Sequence, residues 1–79
     1  MVNIDTHLFI EIIESEGVER MFEEEIDNVR IIYFKALKGN TIIAICTSDE
    51  FISNRTAKSL LRELGIDNLI VSLFPIDDL

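Results

Sequence analysis

The sequence predicts an α+β fold: a small sheet of three strands, with a fourth as an option, and two or three helices packed on one face. Three observations point there. Apolar residues recur at helical spacing near both ends, as Leu8, Phe9, Ile12 and Ile13 and again as Ala57, Leu60, Leu61 and Leu64. Between them lies a stretch dominated by β-branched and aromatic residues, broken by Lys38-Gly39-Asn40. Single glycines and one proline punctuate these segments, with no linker, repeat or low-complexity tract. At 79 residues the chain has room for one domain, 1–79, and one core.

Asp5 is placed to cap a first helix, because its carboxylate can accept from the unpaired amides of the first turn. Glu11 and Glu14 lie away from the apolar stripe, Ile10 widens it, and Gly17 suits the left-handed residue that ends a helix. Residues 18–28 admit two assignments. Val18, Met21, Phe22 and Ile26 fit one helical face, and Glu, Arg and Met favour helix. The rival is a strand from Val18 to Phe22 followed by a turn; a short helix is preferred. Val29–Leu37 is predicted as a strand, Lys38-Gly39-Asn40 as a turn with a positive backbone angle at Gly39 or Asn40, and Thr41–Thr47 as the partner strand. Both strands are apolar on both faces at their centres, which predicts cover on each side or one face kept for a partner.

Ser48–Asn54 reads as a polar loop, with Ser53 or Asn54 capping the next helix. Gly65 ends that helix, and Ile66 is placed for the hydrophobic contact of a glycine-terminated helix. Leu69–Phe74 is expected as a third strand, stopped by Pro75 and reached by a right-handed crossover if it lies parallel to its neighbour.

Charge is polarised along the chain. The net charge is −8, yet residues 1–28 hold nine acids against Arg20 alone, while the middle holds Arg30, Lys35, Lys38, Arg55, Lys58 and Arg62 against three acids. An acidic protein repels phosphate backbones overall, and the basic middle opposes that locally. Two clusters are candidate partner-binding sites. Glu23, Glu24, Glu25 and Asp27 form an acidic knot suited to a basic partner or to mimicry of a nucleic acid, and otherwise a solvated helix end or loop. Arg55, Lys58 and Arg62, at i, i+3 and i+7, line a helix face opposite the leucine stripe; they suit phosphates or a carboxylate patch, and otherwise a solvated surface.

Catalytic chemistry finds no support in the residue types. One histidine, His7, sits beside acids but far in sequence from Cys46, short of a zinc ligand set. Thr47, Ser48, Asp49 and Glu50 lack a histidine to serve as base, and there is no glycine-rich phosphate loop. No cofactor, metal or catalytic residue is therefore expected. Cys46 reads as a small core residue. A lone cysteine fits a reducing, cytoplasmic setting. The longest apolar run, Ile42–Cys46, is too short for a bilayer, and the opening residues lack the character of a secretory signal.

The opening helix closing on Glu16-Gly17, the hairpin around Gly39, and Arg55-Thr56-Ala57-Lys58-Ser59-Leu60-Leu61-Arg62-Glu63-Leu64-Gly65-Ile66 together resemble the HicA family of small bacterial toxins. That resemblance, over residues 7–66, implies a fold similar to double-stranded RNA-binding domains and an RNA-holding role for Arg55, Lys58 and Arg62. The family's catalytic Gly-Ser-His has no counterpart at Asn28-Val29-Arg30-Ile31, and the family is basic where this chain is acidic. The leading expectation is a non-catalytic protein-interaction module of inhibitor, antitoxin, adaptor or small-subunit type, using an apolar sheet face rimmed by charge. Its apolar surplus predicts self-association as a homo-oligomer. The alternative is RNA or DNA binding through the basic helix face, HicA-like but without the histidine.

Overall fold

The computed structural model describes residues 3–74. Over them the chain runs β1 (Asn3–Asp5), α1 (Thr6–Ser15), β2 (Glu19–Ile26), β3 (Val29–Lys35), β4 (Ile42–Cys46), β5 (Phe51–Ser53), α2 (Asn54–Leu64) and α3 (Leu69–Leu73). This is an α+β architecture with helices packed against a small sheet. The strands form an antiparallel three-stranded sheet in the order β2-β3-β4 and a separate two-stranded ribbon of β1 and β5.

Local chemistry sets most boundaries. The Asp5 carboxylate accepts from the Leu8 amide at 3.0 Å, starting α1. Ser53 Oγ accepts from the Thr56 amide at 3.2 Å and starts α2 in the same way. Gly65 ends α2 in the left-handed region, at φ 85°, with the Ile66 amide reaching back to the Leu61 carbonyl at 3.0 Å and Ile66 buried beneath the turn. Gly17 does the same for α1, and Gly39 takes the positive angle of the turn between β3 and β4.

Two expectations are corrected. Residues 18–28 are not a helix: Glu19–Ile26 is the edge strand β2, paired with β3 from Glu19↔Lys35 to Ile26↔Val29, with a bulge at Met21. Asp27 and Asn28 decide this, since both take positive φ (52° and 69°), the two-residue turn that suits the twist of a hairpin. The hydrogen-bonded ladder then outweighs the helical preference of the glutamates. Leu69–Phe74 is likewise not a strand. Leu69–Leu73 is a helical turn, and Leu69, Ile70, Leu73 and Phe74 pack towards the core while Val71 and Ser72 face solvent. Its spacing continues from Ile66 at i+3, i+4, i+7 and i+8, a helical period, so no crossover to a parallel strand exists here. The expected stop at Pro75 lies outside the described residues. The polar stretch after β4 also carries the short strand β5, and β1 before α1 is its partner.

The core lies between the helices and one face of the sheet. Phe9, Ile10 and Ile13 of α1, Ala57, Leu61 and Leu64 of α2, and Ile32, Phe34, Ile43 and Ile45 of the sheet are buried together. Alternation along β3 and β4 assigns every second residue to this inner side. No helix among the described residues is long and apolar enough to cross a membrane.

Candidate interaction surface

Among the described residues, the same alternation leaves the other face of the sheet uncovered. It presents Phe22, Glu24 and Ile26 from β2, Val29, Ile31, Tyr33 and Lys35 from β3, and Ile42, Ala44 and Cys46 from β4. Phe22 is 51% exposed, Ile26 51% and Ile42 50%, large apolar side chains left half open to solvent. The Phe22 and Tyr33 rings stack at 4.5 Å between centroids, 21° from parallel, across a paired position. The Tyr33 hydroxyl donates to a Glu24 carboxylate oxygen at 2.7 Å. That hydrogen bond, which holds the phenol in its protonated form, raises the Tyr33 pKa above its ordinary value, with smaller contributions from desolvation and the carboxylate's charge.

The acidic knot is not one patch, because a strand sends alternate side chains to opposite faces. Glu24 belongs to the open face. Glu23 turns to the helix side, where its carboxylate lies 3.1 Å from the Arg30 guanidinium and 3.7 Å from that of Arg20. Arg20 also pairs with Glu14 at 2.9 Å and lies 6.0 Å over the Phe34 ring; its hydrogen bond to Glu14 is the main cause of a pKa raised beyond the usual arginine value. Glu25 is exposed opposite Arg30, and Asp27 sits in the turn.

On α2, Arg55 and Arg62 are exposed, whereas Lys58 is half-buried with its ammonium 5.8 Å over the Phe74 ring. The three cations share a helix face, but the end of the described chain crosses it at Lys58. His7 is exposed on α1. Cys46 is half-buried on the open face rather than in the core. No group of three or more His, Cys, Asp or Glu suited to a metal ion occurs among the described residues.

Beside the free edge of β4 runs a cleft of about 320 Å³, lined by Ala44, Cys46, Asp49, Phe51, Thr56 and Leu60 among others. Sequence reasoning missed it, since it arises where β5 and the start of α2 stand next to β4. Phe22 and Ile26 were also missed as open-face residues, because only a strand at 19–26 puts them there. Comparison with protein-family models, with curated proteins and with solved structures returns no match, so no match supports the resemblance to the HicA family.

Proposed function

We propose that this chain is a non-catalytic protein-interaction module of inhibitor, antitoxin, adaptor or small-subunit type, which recognises protein through the open sheet face. The observation that carries this reading is the row of half-exposed Phe22, Ile26 and Ile42 around Ile31 and Tyr33, on a sheet whose described helices pack on the opposite side. An apolar area of this kind, bordered by Glu24 and Lys35, has the composition of a docking patch: aromatic and aliphatic at the centre, charged at the rim. The rival reading, nucleic-acid binding through Arg55, Lys58 and Arg62, must overcome a net charge of −8 with Lys58 already laid against Phe74.

The test compares two double variants, Phe22→Ser with Ile26→Ser and Arg55→Glu with Arg62→Glu, as baits in host extract. The same variants are titrated with single- and double-stranded RNA at two salt concentrations. The expected outcome is a stoichiometric protein partner kept by the second variant and lost by the first, with both variants folded by circular dichroism. Partner loss only on the arginine variant, or tight RNA binding that collapses with salt, overturns the proposal.

A further inference from the structure

The two edges of the sheet are not alike. In the β3–β4 ladder the Ala36 amide donates to the Thr41 carbonyl at 2.9 Å and the Thr47 amide to the Arg30 carbonyl at 2.8 Å. Alternation between these brackets makes Ile43 and Ile45 the residues bonded to β3, and turns the amides and carbonyls of Ile42, Ala44 and Cys46 outward. On the other edge, β2 turns the backbone of Glu23 and Glu25 outward, in a run of three glutamates that discourages a further strand. β4 carries no charge at all: Ile-Ile-Ala-Ile-Cys. Among the described residues nothing pairs with this outer backbone, and unpaired backbone on an uncharged, β-branched edge strand is a template for strand addition.

We propose that a second copy of this chain pairs with this edge, β4 against β4 in antiparallel register about Ala44, giving a two-fold dimer with one continuous six-stranded sheet. Four features point to a second copy. The strand is uncharged, so self-pairing sets no like charges opposite each other in a chain of net charge −8. Full overlap places Ile42 opposite the second copy's Cys46, so the exposed isoleucine at one end of β4 meets the cleft at Cys46 and Phe51 at the other end. Knob and hole both lie along this one edge, the hole completed by β5 and the start of α2, so one surface of each copy carries both, which is what a two-fold interface requires. The ends also differ in charge: Lys35 pairs with Ile42 at the start of β4, while Asp49 lines the cleft beyond its end. Antiparallel pairing brings the basic end of each copy towards the acidic end of the other.

This deepens the protein-interaction reading by naming a partner, and rests on it for the class of ligand, but it uses an edge rather than the open face. The decisive variant is Ala44→Pro. Ala44 is exposed, and its amide points away from β3, so proline removes an outward donor and no ladder bond. Sedimentation equilibrium from micromolar to millimolar protein is expected to show wild-type mass rising from 9.1 kDa towards twice that value, with Ala44→Pro staying at 9.1 kDa. Should Ala44→Pro fail to fold, a cross-link decides the question. In a Cys46→Ser background, Ala44→Cys faces its own copy at about 5.5 Å between Cα atoms, within disulfide reach. Mild oxidation is then expected to give a covalent dimer, and a Glu63→Cys control on α2 to give none. A wild-type chain that stays at 9.1 kDa throughout overturns the proposal while leaving open-face recognition of another protein intact. So does a folded Ala44→Pro that still dimerises, because self-association then does not use this edge. A wild-type dimer in which Ala44→Cys does not cross-link rejects this register.

Discussion

The Phe22–Tyr33 stack supports a quantitative test of β2, the segment on which the open face depends. Phe22→Leu and Tyr33→Leu each keep an aliphatic side chain on the sheet but remove one ring, and the double variant completes a thermodynamic cycle. The rings lie 4.5 Å apart and nearly parallel. Aromatic pairs in such geometry contribute about 0.5–1.5 kcal/mol beyond the area they bury. Because Phe22 is half exposed, the lower half of that range applies, about 0.5–1 kcal/mol. The Tyr33→Leu arm also loses the hydrogen bond to Glu24, but that loss occurs with and without Phe22 and cancels in the coupling energy. At this chain length, each kcal/mol moves the melting midpoint by about 6 °C. Urea unfolding followed by far-UV circular dichroism at several temperatures resolves a coupling of this size. A coupling within error of zero refutes the pairing of Phe22 with Tyr33, and with it the assignment of Phe22 to the open face. Had residues 18–28 been a helix, no such coupling would be expected.

Two further predictions follow from single contacts. Tyr33 is the sole tyrosine and there is no tryptophan, so absorbance near 295 nm reports it alone: its midpoint is expected above the ordinary value of about 10, and Glu24→Ala is expected to lower it. A phenol with a raised folded-state pKa contributes stability that is present below the unfolded pKa and lost as pH rises through the folded one, so Glu24→Ala should flatten the alkaline loss of stability; an unchanged midpoint in that variant removes the assigned cause. Thr6 is fully buried and its hydroxyl has no hydrogen-bond partner among the described residues, so Thr6→Val, which keeps the shape and removes that oxygen, is expected to be neutral or to stabilise by about 1 kcal/mol; a clear loss in thermal melts contradicts this.

Elements announced by side-chain chemistry within one turn were legible. Asp5, Ser53, Gly17, Gly39 and Gly65 act locally, and their roles as caps and turns follow from carboxylate, hydroxyl and glycine properties alone. β2 was hidden because the helical preference of Met21 and Glu23–Glu25 is local, whereas the ladder that overrides it runs to residues up to 16 positions away, at Glu19↔Lys35. The signal available was Asp27-Asn28, two residues that tolerate positive φ between apolar neighbours. In Leu69–Leu73 the run Leu-Ile-Val suggested a strand, while the period from Ile66 to Phe74 specified a helix. β1 and β5 have three residues each, too few for any period to register. For the surface, two-sided apolar strands allowed either cover on each side or one face kept for a partner, and the members of the open face on β2 needed the hairpin. The acidic knot looked like one feature only because sequence adjacency is not spatial adjacency on a pleated strand.

The β1–β5 ribbon has a kinetic consequence. Asn3 pairs with Ser53 and Asp5 with Phe51, so these bonds close a loop containing both β-hairpins of the β2-β3-β4 sheet and α1. The β2–β3 and β3–β4 turns join near neighbours and cost little chain entropy, while the ribbon must wait until the intervening segments have shortened the gap. Loop closure therefore favours late formation of this clasp of two three-residue strands, each leading directly into a helix. Opening that clasp releases the starts of α1 and α2 together, making it the place where this small fold can breathe without dissolving its sheet.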